Sequence, residues 1–362
     1  MRQRTDRFFL ASVFVLVIFG LMALTSASAP LGFAKFNDSY FFIKKQLLFG
    51  LAPGVLLFFL LAHARYEIWK KLAWLVYAFS IILLLLVFIP GVGLVINGAH
   101  SWLGIFGYTF QPAEFAKLAM IIMLAGLLAE PRKDYADFKT GLLPILAVIA
   151  PIPLLILLQP DVGTLSIVAV IIFGMLFAGG IRRAHLFVLG VVAVLGLVAL
   201  LVAAPYRATR LTTFLHPELD PKGVGYQTNQ AHLAIGSGGW WGLGLGHSRQ
   251  KFQYLPEVHA DSIFAIIGEE MGFIATTIFV VLLAVIGLKG LKIAQRAPDP
   301  FGRLLVSGIM VWFMWQSFLN IGGMVGLLPI TGVPLPFVSS GGSALVVALA
   351  AMGIVASVSR NS

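Results

Sequence analysis

Residues 8–29 carry no charged side chain, and a helix needs roughly 20 apolar residues to cross the ~30 Å hydrocarbon core of a bilayer. Nine further runs of similar character lie near 43–63, 72–90, 111–129, 142–158, 162–180, 184–204, 262–288, 304–325 and 342–358. Lipid offers no water to a backbone N–H or C=O, so each run must close its own hydrogen bonds, and the helix is the single-segment way to do it. The expected fold is an all-α polytopic membrane protein of ten transmembrane helices, one domain over 1–362. A chain that is 59% hydrophobic and 11% charged has too little polar skin for a soluble alternative. The first run is too long for a signal-peptide core and more membrane follows it at once. It reads as an uncleaved helix, although the small residues at 26–29 would suit a cleavage site.

The net charge of +10 follows from how positive charge is placed. With the N-terminus cytoplasmic, sixteen of the 25 Lys and Arg residues fall on the cytoplasmic side, among them Arg4, Arg65, Lys70, Arg132, Arg182 and Lys292. That bias predicts both termini in the cytoplasm. Nucleic-acid binding is disfavoured, because no basic patch is interleaved with aromatics on a soluble domain. The chain has no cysteine, which excludes disulfides, a thiolate nucleophile and cysteine metal sites. One long extracytoplasmic loop, 205–261, separates helices seven and eight. It mixes Gly, aromatics, amides and both charge signs, so it reads as an ordered, functional loop with short helices against the membrane face.

A charge near the bilayer centre costs about 2.5–3.5 kcal/mol on insertion scales, so it needs a partner or a wet cavity. Five stretches meet that condition. In FQPAEFAK (110–117), Glu114 and Lys117 are three apart on one helical face, as a mutual ion pair or as a cavity-facing lysine that meets an anion. In LQPDVGT (158–164), Asp161 suits a helix N-cap. Arg207 and Arg210 sit at the outer edge of helix seven, either snorkelling or gripping phosphate oxygens with their guanidinium forks. GSGGWWGLGLGHSRQK (236–251) resembles a nucleotide loop but lacks GK[ST] and a preceding strand, so its glycines serve tight turns or close backbone approach. KFQYLPEVHADSIFAIIGEE (251–270) places Glu257, His259 and Asp261 at a membrane mouth, where Asp261 also suits a helix cap. The adjacent Glu269 and Glu270 point about 100° apart on a helix. They should hardly serve one site, and at least one should anchor a neighbouring helix.

Taken in order, the stretches FQPAEFAK, QPDVGT, YRxxR, FLHPELDPKGVGYQ, AIGSGGWWGLGLGHSRQK, YLPEVHADSIFAIIGEE and LLPITGVPLPFVSSGGS resemble the SEDS family (shape, elongation, division and sporulation), which comprises the FtsW and RodA proteins. The resemblance covers essentially the whole chain, and the SRQKxxYLPE form is closer to FtsW than to RodA. It implies a ten-helix peptidoglycan glycosyltransferase of the bacterial cytoplasmic membrane that polymerises lipid II, its undecaprenyl-diphosphate-linked precursor, at the outer face during division or elongation. It also implies a class B penicillin-binding protein as transpeptidase partner, among other divisome or elongasome proteins. The family's essential acid falls in a motif usually written HTDFIFA; here it is HADSIFA, so the role carries over to Asp261. Ala260 and Ser262 depart from that pattern, as do Ala113 and Ser340 from theirs. Glu114, Glu257, His259, Ser339 and Gly341, which lie in the matching motifs, join Lys117, Arg207 and Arg210 as candidate substrate-binding residues.

Joining a sugar hydroxyl to an anomeric carbon that carries a polyprenyl diphosphate needs a base for the proton and positive charge for the departing diphosphate. Asp261 suits the first need, and Lys117, Arg207 and Arg210 the second. A divalent cation, Mg or Mn, would also serve the second, although no ligand set in the sequence demands one. A lipid-precursor flippase would share the intramembrane charges, and a non-catalytic scaffold that activates the transpeptidase would share the outer surface.

Overall fold

The computed structural model of the chain describes residues 6–96, 99–105, 108–130, 137–202, 214 and 223–361. Within these the helices are α1 (Arg7–Phe36), α2 (Phe41–His63), α3 (Glu67–Leu86), α4 (Pro112–Leu128), α5 (Phe138–Leu158), α6 (Val162–Ala178), α7 (Arg183–Val202), α8 (Val224–Gly238), α9 (Ile263–Arg296), α10 (Pro300–Met324) and α11 (Gly342–Asn361). Among the described residues, seven helices are long and apolar enough to cross a membrane: α1, α2, α3, α5, α9, α10 and α11.

Local chemistry sets several boundaries. Asp6 accepts the Phe9 N–H and starts α1, while Asn37, in the left-handed region at φ 52°, ends it. Asp299 accepts the Gly302 N–H ahead of Pro300 at the first position of α10. Asp161 accepts the Thr164 N–H at 2.9 Å and caps α6, as its position suggested.

The bundle is organised around α4, which is buried on nearly every face; a helix apolar all round belongs inside its neighbours. It packs against α3, α6, α10 and α11. Lipid-facing side chains such as Ile18, Leu75, Phe187 and Ile278 stay exposed on the outside.

One feature departs from an all-α fold. Between α3 and α4, β1 (Gly93–Ile96), β2 (Ala99–Ile105) and β3 (Tyr108–Phe110) form an antiparallel sheet in order β1-β2-β3. Gly93 pairs with Leu103 and Leu103 with Phe110; β2 rests on α4, and Leu103 is buried. Strands this short give too few alternations to stand out in sequence beside runs of twenty apolar residues. The sheet lies at the end of the bundle where α9 begins, because the Gln111 N–H that follows it donates to Ser343 at the start of α11.

Candidate functional site

At that same end, Asp261 sits two residues before α9, and three elements converge on it. From α10, the Asn320 amide donates one hydrogen to the Asp261 backbone carbonyl at 2.7 Å and the other to Val333 at 2.9 Å. The chain at Asp261 and the 325–341 connection are thereby pinned to one side chain. From that connection, Gly332 comes close over the carboxylate; a Cβ there would lie 3.9 Å from Oδ2. From α8, the Gln227 amide nitrogen lies 3.3 Å from each carboxylate oxygen and 2.9 Å from the Ser262 hydroxyl.

Asp261 keeps only 6% of its surface exposed and forms no ion pair among the described residues. Burial pushes its pKa up to about 6, and the nearby Glu257 charge adds to this; the amide of Gln227 pulls the other way. The group therefore changes protonation near neutrality, with an ordinary carboxylic acid made a stronger base by its surroundings.

His259 and the Ser339–Gly341 turn complete the mouth. The Ser340 N–H donates to the His259 carbonyl at 2.7 Å. The His259 ring lies on Phe42 of α2, with centroids 4.4 Å apart. Gln46, also on α2, accepts the Gly341 N–H at 3.0 Å and donates to the Ser339 carbonyl at 3.4 Å. Burial holds the His259 pKa below the usual imidazole value, opposed by Glu257 and reinforced by Lys35 and Lys45.

Glu114 and Lys117 form a different kind of site. The Lys117 ammonium lies 2.8 Å from Glu114 and 2.7 Å from the Gln316 carbonyl oxygen, and 5.0 Å from the Trp312 ring centroid. Lys117 has no exposed surface. The mutual ion pair is the arrangement present; the reading of a lysine open to an anion is corrected, because the ammonium is fully buried and held by Glu114 and Gln316. Gln316 relays the pair outward by donating to the Pro334 carbonyl at 2.9 Å. Glu114, Gln316, Ser339 and Phe337 line a cavity of about 10 Å³, which is room for about one water.

The paired glutamates answer to a break in α9. At Gly272 the backbone takes φ 74° and leaves the helical ladder. The stretch 239–244 fills the gap: Leu243 and Gly244 donate to the Glu269 and Glu270 carbonyls, while Phe273 and Ile274 donate to Gly239 and Trp240. Gly242 must be glycine here, since a Cβ would stand 2.2 Å from the Glu270 carbonyl oxygen. The glycine-rich run thus approaches a helix backbone. Beyond it, the Glu269 carboxylate accepts the Ser248 hydroxyl and the Arg249 and Gln250 N–H groups. Glu270 takes Lys251 at 2.7 Å and Ser26 of α1. The two carboxylates do serve one segment, contrary to the expectation from their 100° offset, because 248–251 wraps across both directions.

Asp261, Glu257, His259, Ser339 and Gly341 are therefore brought together, with Glu114 and Lys117 one hydrogen-bonded step behind. Arg207 and Arg210 lie outside the described residues. Sequence reasoning passed over Gln227, Gln46, Gln316 and Asn320. The last two were detectable: amides four apart in an apolar span face one way and need partners as charges do. No group of three or more His, Asp or Glu among the described residues is placed to hold a metal ion.

Residues 6–362 match the cell cycle protein family FtsW/RodA/SpoVE. The chain is 44% identical to stage V sporulation protein E of Bacillus subtilis, over 96% of this chain and 95% of the relative. It is 36% identical to a probable peptidoglycan glycosyltransferase FtsW of Geobacter sp., over 98% and 96%. Its fold is similar to a chain in a solved peptidoglycan synthase complex that coordinates polymerization and crosslinking, with TM-score 0.81, 30% identity and 98% of each chain covered. The rod shape determining protein RodA of Thermus thermophilus is similar at TM-score 0.72 and 28% identity, over 98% and 97%.

Proposed function

The chain belongs to the FtsW/RodA/SpoVE family, and from that premise we propose that it is a peptidoglycan glycosyltransferase that polymerises lipid II, with Asp261 as general base. It is a polytopic protein of the bacterial cytoplasmic membrane. We read ten spans with both termini cytoplasmic, which sets Asp261 at the outer face. One observation carries the assignment of the base: a carboxylate 94% removed from water, with one amide and a hydroxyl beside it and no cation partner among the described residues. Such a group is largely ionised at neutral pH yet accepts a proton more readily than an ordinary carboxylate, the property a base working there requires.

In the reaction the acceptor hydroxyl oxygen forms a bond to the anomeric carbon, and the bond from that carbon to the diphosphate oxygen breaks with its electron pair. The hydroxyl proton passes to Asp261. Attack opposite the leaving group inverts the anomeric centre. A carboxylate offers about four lone-pair directions; Gln227 sits between the two oxygens and Ser262 lies beside Oδ1, which leaves the outer edge of Oδ2 for the hydroxyl. Arg207 and Arg210 are the proposed partners of the departing diphosphate, since Lys117 is already occupied. A class B penicillin-binding protein is the proposed transpeptidase partner.

The test uses the full-length protein purified with its cognate transpeptidase and supplied with labelled lipid II. Glycan polymer is expected from the wild type and from a complex whose transpeptidase active site is disabled. No polymer is expected from Asp261→Asn at equal expression. Normal polymerisation by that variant would remove Asp261 as base. Lipid translocation without polymer under any condition would replace the enzyme with a transporter.

A further inference from the structure

Gln227 and Ser262 surround the Asp261 carboxylate, and neither belongs to the acid's own charge chemistry. Gln227 lies on α8, 34 residues from Asp261, and reaches it across the junction between α8 and α9. Its amide nitrogen is equidistant from the two oxygens at 3.3 Å, and it donates at 2.9 Å to Ser262. Ser262 is fully buried, with its hydroxyl 3.5 Å from Oδ1. An amide centred between two carboxylate oxygens resists rotation of that carboxylate in both directions. A hydroxyl held by the same amide closes one side. Ser262 is also one of the two positions where HADSIFA departs from the usual HTDFIFA, which has an apolar ring in place of this hydroxyl.

We propose that Gln227 and Ser262 are a pair of positioning residues that orient the Asp261 carboxylate and favour its ionised form. This rests on the assignment of Asp261 as base. The Gln227 N–H stabilises the anion before the substrate hydroxyl arrives. Ser262 fixes the Gln227 amide so that its nitrogen, and not its carbonyl oxygen, faces the acid; a carbonyl turned inward would repel the anion and require a protonated Asp261. Among the described residues, the charged group that faces Asp261 is Glu257 on its own segment. From α8, α10 and the 325–341 connection the neighbours are neutral: Gln227, Asn320 and Gly332. Lys35 and Lys45 act on His259 from α1 and α2. Loss of the bracket should therefore show in the protonation of Asp261 and not in affinity for the lipid.

The experiment measures polymerisation of labelled lipid II by the full-length protein with its transpeptidase partner from pH 5 to pH 8.5, in wild type, Gln227→Leu, Ser262→Ala and Asp261→Asn. The base must be ionised, so the wild-type rate should rise with pH. In Gln227→Leu that rise should move upward by roughly half to one pH unit, with about a two- to fivefold loss near pH 6 and little loss at pH 8. KM for lipid II should stay within about twofold. Ser262→Ala should give a smaller shift in the same direction, and it supplies the readout if Gln227→Leu does not accumulate. A loss that is uniform across pH in both variants, or a changed KM with an unmoved pH profile, would overturn the positioning role. Failure of the base assignment looks different: Asp261→Asn would retain activity and the wild type would show no rise with pH.

Discussion

Asp261 and Glu114 are both buried carboxylates, 6% and 2% exposed, yet their surroundings give them opposite work. Glu114 meets an ammonium at 2.8 Å inside the α4–α10 contact. Asp261 meets amides, a hydroxyl and a second negative charge at the end of the bundle. A buried charge with a counterion is locked in one state, because removing either partner strands the other in a low dielectric. A buried acid without a counterion sits close to its titration point and can exchange a proton.

The largest effect that tests this contrast is on chemistry. Asp261→Asn should lower polymer formation by about 10²–10⁴-fold, the range for a lost general base, with the unfolding transition in detergent almost unmoved. If the transition fell together with activity, Asp261 would be structural like Glu114. Next in size, Lys117→Met should destabilise the bundle by about 3–5 kcal/mol, read as a lowered thermal midpoint. Glu114→Gln added to Lys117→Met should recover most of it, since no charge is then stranded. A Lys117→Met protein that folds normally but cannot use lipid II would restore the substrate-binding role to that lysine.

A third substitution addresses the break in α9. Gly242→Ala forces a Cβ against the Glu270 carbonyl at a left-handed φ of 81° and should cost at least about 2 kcal/mol. Because Asp261 leads directly into that half of α9, activity should fall with stability. The smallest effect sharpens the electrostatics. Glu257 disfavours the ionised form of Asp261, so Glu257→Gln should lower its pKa. The active form is the ionised one, and the rise of rate with pH should move down by roughly 0.3 unit. An upward movement would contradict the placement of the two like charges.

Much of this arrangement is legible in the sequence. The caps at Asp6, Asp161 and Asp299 are local, and Asp161 was readable as one because its acceptor role needs only the next turn. The acidic cluster at 257–261 was visible from its position at the start of an apolar run. Gln227 and Gln46 were not, since an amide in a loop or at a helix start is unremarkable until something faces it. The sheet at 93–110 was hidden by the shortness of its strands. The glycine-rich run was seen to need close backbone approach, but its partner, a helix interrupted at Gly272, was not.

What the chain of residues determines by itself is where lipid can be tolerated and which side chains then require company. Those are questions of transfer energy, answered residue by residue along each run. What that company is depends on contacts between segments far apart in the chain: Lys117 finds Gln316 across 199 positions, and Glu270 finds Ser26 across 244. The Glu114–Lys117 pair, three positions apart, lies within reach of one helix, whereas only packing in three dimensions decided that Asp261 has no cation among the described residues. That difference separates a strut from the proposed base, because Coulomb attraction and desolvation act on distance in space and are indifferent to distance along the chain.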